Sequence, residues 1–163
     1  MKKDYVKLKL LASSHTVGEA NYHLQFTPKY RKDVFADEIT LQACQDSMKN
    51  IAGRLNVVLA GIGFGPDHVH LFVSNAKNYS VVELAQRFKG ASSHYLRKNF
   101  RYRFRNKLWG DSFWSEGYFH RTVGHVNYET MKKYVQEGQS KHWNVQPAKQ
   151  YSNRQQTTLL QFH

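Results

Sequence analysis

The spacing of apolar positions along the 163-residue chain changes period several times, and each change predicts an element. In NYHLQFTPKY (residues 21–30), Tyr22, Leu24 and Phe26 alternate with His23 and Gln25. That is the two-residue period of a strand with one face on a core. Pro28 ends it, and KYRKDVF follows as a basic turn. From Glu38 the step lengthens: Leu41, Cys44, Met48, Ile51 and Leu55 recur every three or four residues, which predicts an amphipathic helix. Cys44 falls on its apolar stripe and reads as a core residue.

VVLAGIGFG (57–65) is apolar, β-branched and punctuated by glycine, so it predicts a buried strand. Pro66 and Asp67 mark a turn, and HVHLFVS runs back as the partner strand. Ser80 and Glu83 form an S-x-x-E capping box at the start of a second helix. Its inner stripe is Val81, Leu84, Phe88, Ala91 and Tyr95. SFWSEGYFHRTVG (112–124) reads as a strand or hairpin. NYETMKKYVQEG (127–138) reads as a third helix closed by Gly138. The tail from Ser140 is polar, contains Pro147 and reads as partly disordered.

Strand, helix, strand, strand, helix, strand is the split βαβ order of an α+β, ferredoxin-like or RRM-like fold. It predicts an antiparallel sheet with helices on one face, a C-terminal helix beyond it, and an opposite face open to a ligand. One domain is expected over residues 1–140, with its core at about 20–140, and a polar tail over 141–163.

Charge changes the picture more than composition does. Twenty-four Lys and Arg against 12 Asp and Glu give +12, which favours a polyanionic partner such as nucleic acid. No apolar run approaches membrane-span length, and MKKDYVKLKLLASS makes a poor signal peptide. With one cysteine no intrachain disulfide forms, so a cytoplasmic setting is expected.

The candidate chemistry starts at GPDHVHLFVS (65–74). His68 and His70 are two apart on a strand, so they share a face, roughly 6–7 Å apart. They fit two descriptions: polar side chains on a solvated face, or a bidentate site for a divalent cation. Asp67 fits a ligand, an orienting neighbour, or simply a turn former. Tyr134, flanked by Lys132 and Lys133, fits a core, surface or nucleophilic tyrosine. A phenolate attacking phosphorus needs nearby cations and a metal, so the tyrosine and the histidine pair make more sense together than apart.

Several segments, taken together, resemble the single-tyrosine HUH transposases of small insertion sequences, the IS200-like family; HUH denotes His, a hydrophobic residue and His. YHLQFTPKYRKDVF resembles the family's first strand and basic turn, and GPDHVHLFVS its metal-binding strand. LWGDSFWSEGYFHRTVG followed by MKKYVQEGQ resembles the strand leading to the nucleophile helix. The likeness spans roughly residues 20–140 in the family's order. It implies that His68 and His70 bind Mg2+ or Mn2+ and that Tyr134 is the nucleophile. It also implies a homodimer that cuts single-stranded DNA at hairpin-bearing element ends, through a 5′-phosphotyrosine link.

In one place the chain departs from the family. A glutamine four residues after the tyrosine normally supplies a third metal ligand, and here that position is Gly138. Gln139, about 140° around a helix from Tyr134, is the expected replacement, with Glu137 the alternative.

The segment from Arg87 to Lys107 holds eight basic residues and no acid. Arg87, Lys89, Arg97, Lys98, Arg101, Arg103 and Arg105, with Lys29, Arg31 and Lys32 after the first strand, are the candidate DNA contacts. Tyr102 and Phe104 interleave with arginines, as in proteins that stack bases and pair phosphates. Trp109, Trp114 and Tyr118 are candidate stacking residues, although aromatics at strand spacing more often belong to a core or a dimer interface. The rival readings are a non-catalytic RRM-like binding module and another HUH nuclease, such as a replication initiator or relaxase.

Overall fold

A computed structural model describes residues 11–12, 17–18, 20–124 and 146–147. The expected third helix, with Tyr134, Glu137 and Gln139, lies outside the described residues. Two short strands, β1 (Leu11–Ala12) and β2 (Val17–Gly18), pair with each other. The domain proper then runs β3 (Asn21–Phe26), α1 (Glu38–Leu55), β4 (Val58–Gly65), β5 (His68–Ser74), α2 (Val81–Phe104) and β6 (Phe119–Val123). These four strands lie in the order β6-β3-β5-β4, all antiparallel, which is the split βαβ arrangement. Within the tail, β7 (Gln146–Pro147) adds a two-residue strand beside β4, where the sequence reads as partly disordered.

The helices begin where side chains satisfy their first amides. Asp37 caps α1 by accepting from the Thr40 amide at 3.0 Å, and Asn56 ends that helix with a left-handed φ of 54°. Ser80 and Glu83 close the capping box at the start of α2. That helix continues to Phe104, so Arg101, Tyr102 and Arg103 are all helical. Phe104 is turned into the core and is 1% exposed.

Both helices cover one face of the sheet. Leu24, Phe26, Ile62, Phe64, Val69 and Leu71 share a buried cluster with Met48, Ile51, Leu84 and Phe88. Cys44 is fully buried within that cluster, as its place on the stripe predicts, and burial pushes its thiol well above the ordinary pKa. The register is Leu24–Leu71–Ile62 across β3, β5 and β4. Leu59, three residues before Ile62, also belongs to this cluster, although strict alternation would turn one of them away. A register shift between Leu59 and Gly61 absorbs the extra residue and keeps both on the helix side.

The predicted strand or hairpin over 112–124 is the single strand β6, preceded by a loop that crosses back to the first strand. Trp114 pairs there with Pro28 through an isolated bridge. Trp114 is 5% exposed, and its indole donates to Ser92 Oγ at 2.9 Å. It is therefore a core residue, and Tyr118 also packs against the core.

Candidate active site on the open face

The residues of β3 and β5 that point away from the helices meet in two cross-strand rows. One runs Phe119–Gln25–His70–Gly63, and the other Arg121–His23–Phe72–Gly61. Gly65 stands opposite His68. Along β4 this face therefore carries Gly61, Gly63 and Gly65, and no β4 side chain flanks either imidazole at these paired positions.

His68 and His70 do share the face, with ring centroids 5.1 Å apart and ring planes at 77°. Their surroundings are not those of a solvated surface: His70 is only 3% exposed. Each ring is held at Nδ1. His68 Nδ1 lies 2.6 Å from Asp67 Oδ1, and Asp67 Oδ2 in turn accepts from Arg31 Nε at 3.2 Å and Nη2 at 3.1 Å. Burial acts to raise the Asp67 carboxyl, but bonding and charge from His68 and Arg31 outweigh it and hold it below the usual range. Asp67 thus goes beyond shaping the turn: it fixes the orientation of His68.

His70 Nδ1 is 2.9 Å from His23 Nε2. His23 stacks on Phe72 with centroids 4.6 Å apart and planes within 5°, and meets the edge of Phe119 at 5.7 Å. Burial, helped by the positive charge of Arg121, lowers the His23 pKa to about 4. His23 is therefore neutral at pH 7 and its Nε2 is able to accept a hydrogen bond from His70 Nδ1–H. In that tautomer a cation would meet His70 at Nε2, and would meet His68 at Nε2 likewise, with Nδ1 held by Asp67. Sequence reading passed over His23, although its outward position in the alternation of the first strand marks it as facing the same way as the histidine pair.

A cation held by two such imidazoles would suit this donor set: ring nitrogens, each oriented from behind by a carboxylate or a second imidazole. Among the described residues no group of three His, Cys, Asp or Glu side chains converges, so this pair would supply two ligands and a third would come from elsewhere. Gln139 and Glu137 lie outside the described residues.

The candidate DNA contacts divide into two groups. Lys29, Lys32, Arg87, Lys98, Arg101 and Arg105 are exposed or half-exposed on the turn after β3 and along α2. Others have structural duties. Lys89 donates to the carbonyl of Glu116 at 2.7 Å, Arg97 donates to that of Ser112, and Arg103 forms an ion pair with Asp37. Arg31 is engaged by Asp67.

The model of the family described as "Transposase IS200 like" matches residues 16–138, three quarters of the chain, including His68, His70 and Tyr134. The chain belongs to the IS200-like transposase family. This transposase is 27% identical over 125 residues to the ISDra2 transposase TnpA of Deinococcus radiodurans, covering 77% of the chain and 88% of that relative. It is 30% identical over 114 residues to the transposase for insertion sequence element IS200 of Salmonella typhimurium, covering 68% of the chain and 72% of the relative. A crystallographically solved candidate transposase of D. radiodurans shares the fold, with a TM-score of 0.63 at 24% identity over 78% of this chain and 96% of that one. Among the described residues, no helix of this transposase is long and apolar enough to cross a membrane.

Proposed function

We propose that this transposase, acting as a homodimer, cuts and rejoins single-stranded DNA at hairpin-containing element ends through a 5′-phosphotyrosine intermediate. The observation that carries this reading is the pair His68 and His70, each held at Nδ1 by its own partner. A structural pair of surface histidines has no need of two separate orienting contacts; a ligand pair does.

Tyr134 Oη attacks the scissile phosphorus, a phosphorus–tyrosine bond forms, and the bond to the 3′-oxygen breaks. The departing strand keeps a 3′-hydroxyl. Attack by that hydroxyl, or by one on another strand, breaks the tyrosine link and returns the phenol, so strands are exchanged without ATP. A bound Mg2+ or Mn2+ would polarise the phosphodiester and stabilise the leaving oxygen. His68 and His70 would hold it, with Gln139 or Glu137 as third ligand, while the basic turn and α2 neutralise phosphates. A binding module of the RRM type stacks bases on exposed rings of its central strands. Here Phe72 on β5 is 2% exposed and is stacked on His23.

The test is a covalent-adduct assay on a labelled single-stranded hairpin oligonucleotide with Mg2+ or Mn2+. The wild type becomes attached to the 5′-phosphate of the downstream fragment, and the upstream fragment is released with a 3′-hydroxyl. Tyr134→Phe loses the adduct while binding stays near normal, and His68→Ala loses cleavage. An adduct that persists in Tyr134→Phe moves the nucleophile elsewhere, with Tyr128 the next candidate.

A further inference from the structure

We infer that Tyr30 and Trp109 form a stacking platform for one unpaired base of single-stranded DNA, beside the histidine site. The inference rests on the DNA-handling reading above. Both side chains are large and exposed, at 56% and 63%, yet they lie face to face with centroids 5.0 Å apart and planes within 14°. Two parallel rings each keep one outer face, and a base stacks on such a face whatever its identity. Lys29 Nζ lies over the Tyr30 ring, 5.7 Å from its centre, and Lys32 Nζ over the Trp109 ring at 5.9 Å, so a base that stacks on either outer face meets an ammonium group there. A base stacked here therefore has two ammonium groups within reach of its phosphates.

The platform is built into the fold. Tyr30 and Arg31 both have left-handed backbone, with φ of 59° and 51°, a conformation unfavourable for residues with a Cβ. Such strain persists only where the surroundings impose it. Here the Lys29 amide donates to the Phe113 carbonyl at 2.9 Å, on the loop that follows Trp109. On the other side Arg31 is fastened to Asp67, which orients His68. Two polar contacts thus link the residue after Tyr30 to a candidate metal ligand. The rings and the cations together match a nucleotide, an aromatic base carrying a negative charge, and the net charge of +12 favours the same partner.

The probe is a labelled hairpin oligonucleotide with single-stranded flanks, and a series in which each flanking nucleotide in turn is abasic. Trp109→Ala and Tyr30→Ala should weaken binding about 5- to 100-fold, and Trp109→Phe should recover most of the loss. The salt dependence of Trp109→Ala should match the wild type, because no phosphate contact is lost. Lys29→Ala and Lys32→Ala should each make it shallower by about 0.7 in the logarithmic slope. One abasic position should cost the wild type as much as Trp109→Ala does, and cost that variant nothing further. The abasic series uses unaltered protein, so it stands even if Tyr30→Ala folds poorly. If the wild type binds but neither Trp109→Ala nor any abasic position matters, the platform is wrong and the DNA-handling reading survives. If Trp109→Ala changes the oligomeric state at unchanged DNA affinity, the rings are a protein contact and the inference is overturned. If the wild type does not bind the hairpin at all, both readings fall.

Discussion

The two faces of the sheet are made by the same strands, one residue apart, and they are built on different rules. On the helix side Leu24, Leu71 and Ile62 form a row in which apolar volume is what counts. On the other side Gln25, His70 and Gly63 form the neighbouring row, and what counts there is which atom meets which. The first face tolerates rearrangement of similar volumes. The second depends on a 2.9 Å contact between two imidazoles and a 2.6 Å contact between an imidazole and a carboxylate. One face supplies stability and the other supplies orientation, although neither is far from the other in sequence.

Truncating Leu71 tests whether the two faces are separable, because it sits between His70 and Phe72 but points the opposite way. Leu71 is fully buried. Leu71→Ala should cost about 2–5 kcal/mol of stability, through lost transfer energy and the cavity left behind. The Mn2+ affinity of the molecules that remain folded, measured by calorimetry below the melting transition, should be unchanged. A large loss of metal affinity in folded Leu71→Ala would mean that the two faces are not separable.

His23→Ala removes the support of His70 without removing a proposed ligand. It should weaken Mn2+ binding about 10- to 100-fold, as loss of an orienting partner does. The binding enthalpy and the thermal midpoint report this separately. His23→Phe keeps the stack on Phe72 and loses only the nitrogen, so it should reproduce most of the loss in affinity with less loss of stability. Equal metal affinity in wild type and His23→Phe would reduce His23 to packing.

The helix-side face was almost fully legible in the sequence, because a period is a local signal. The stripe Leu41, Cys44, Met48, Ile51 and Leu55 and the capping box at Ser80 both appear where the spacing puts them. The open face was half legible. The His-x-His spacing places two rings on one face, but no local pattern says that His23, some 47 residues away, will lie in register beside them. That pairing depends on β3 lying next to β5, a fact of topology. The same limit explains the basic segment, where charge alone ranks every candidate contact alike. Arg101, Arg103 and Arg105 are all exposed, and only the folded chain separates Arg103, ion-paired with Asp37, from the other two.

The smallest expected effect concerns that pair, and it bears on which face an arginine serves. Asp37 caps α1 while bonding Arg103 near the end of α2, so it fastens the two helices that cover the sheet. The Arg103 guanidinium beside Asp37 holds its carboxyl well below the usual range, although burial acts the other way. A carboxyl with a depressed pKa contributes stability that is complete above its unfolded value, about 4, and is lost as pH falls below it. Asp37→Ala should therefore cost about 1 kcal/mol at pH 7, mostly as a lost cap, and the gap from wild type should narrow as the pH drops below about 4. Arg103→Ala should lower the thermal midpoint by less and leave the salt dependence of DNA binding unchanged. Should Arg103→Ala instead leave the midpoint alone and make that salt dependence shallower, the arginine faces DNA, and the helix side of the sheet would carry recognition as well as stability.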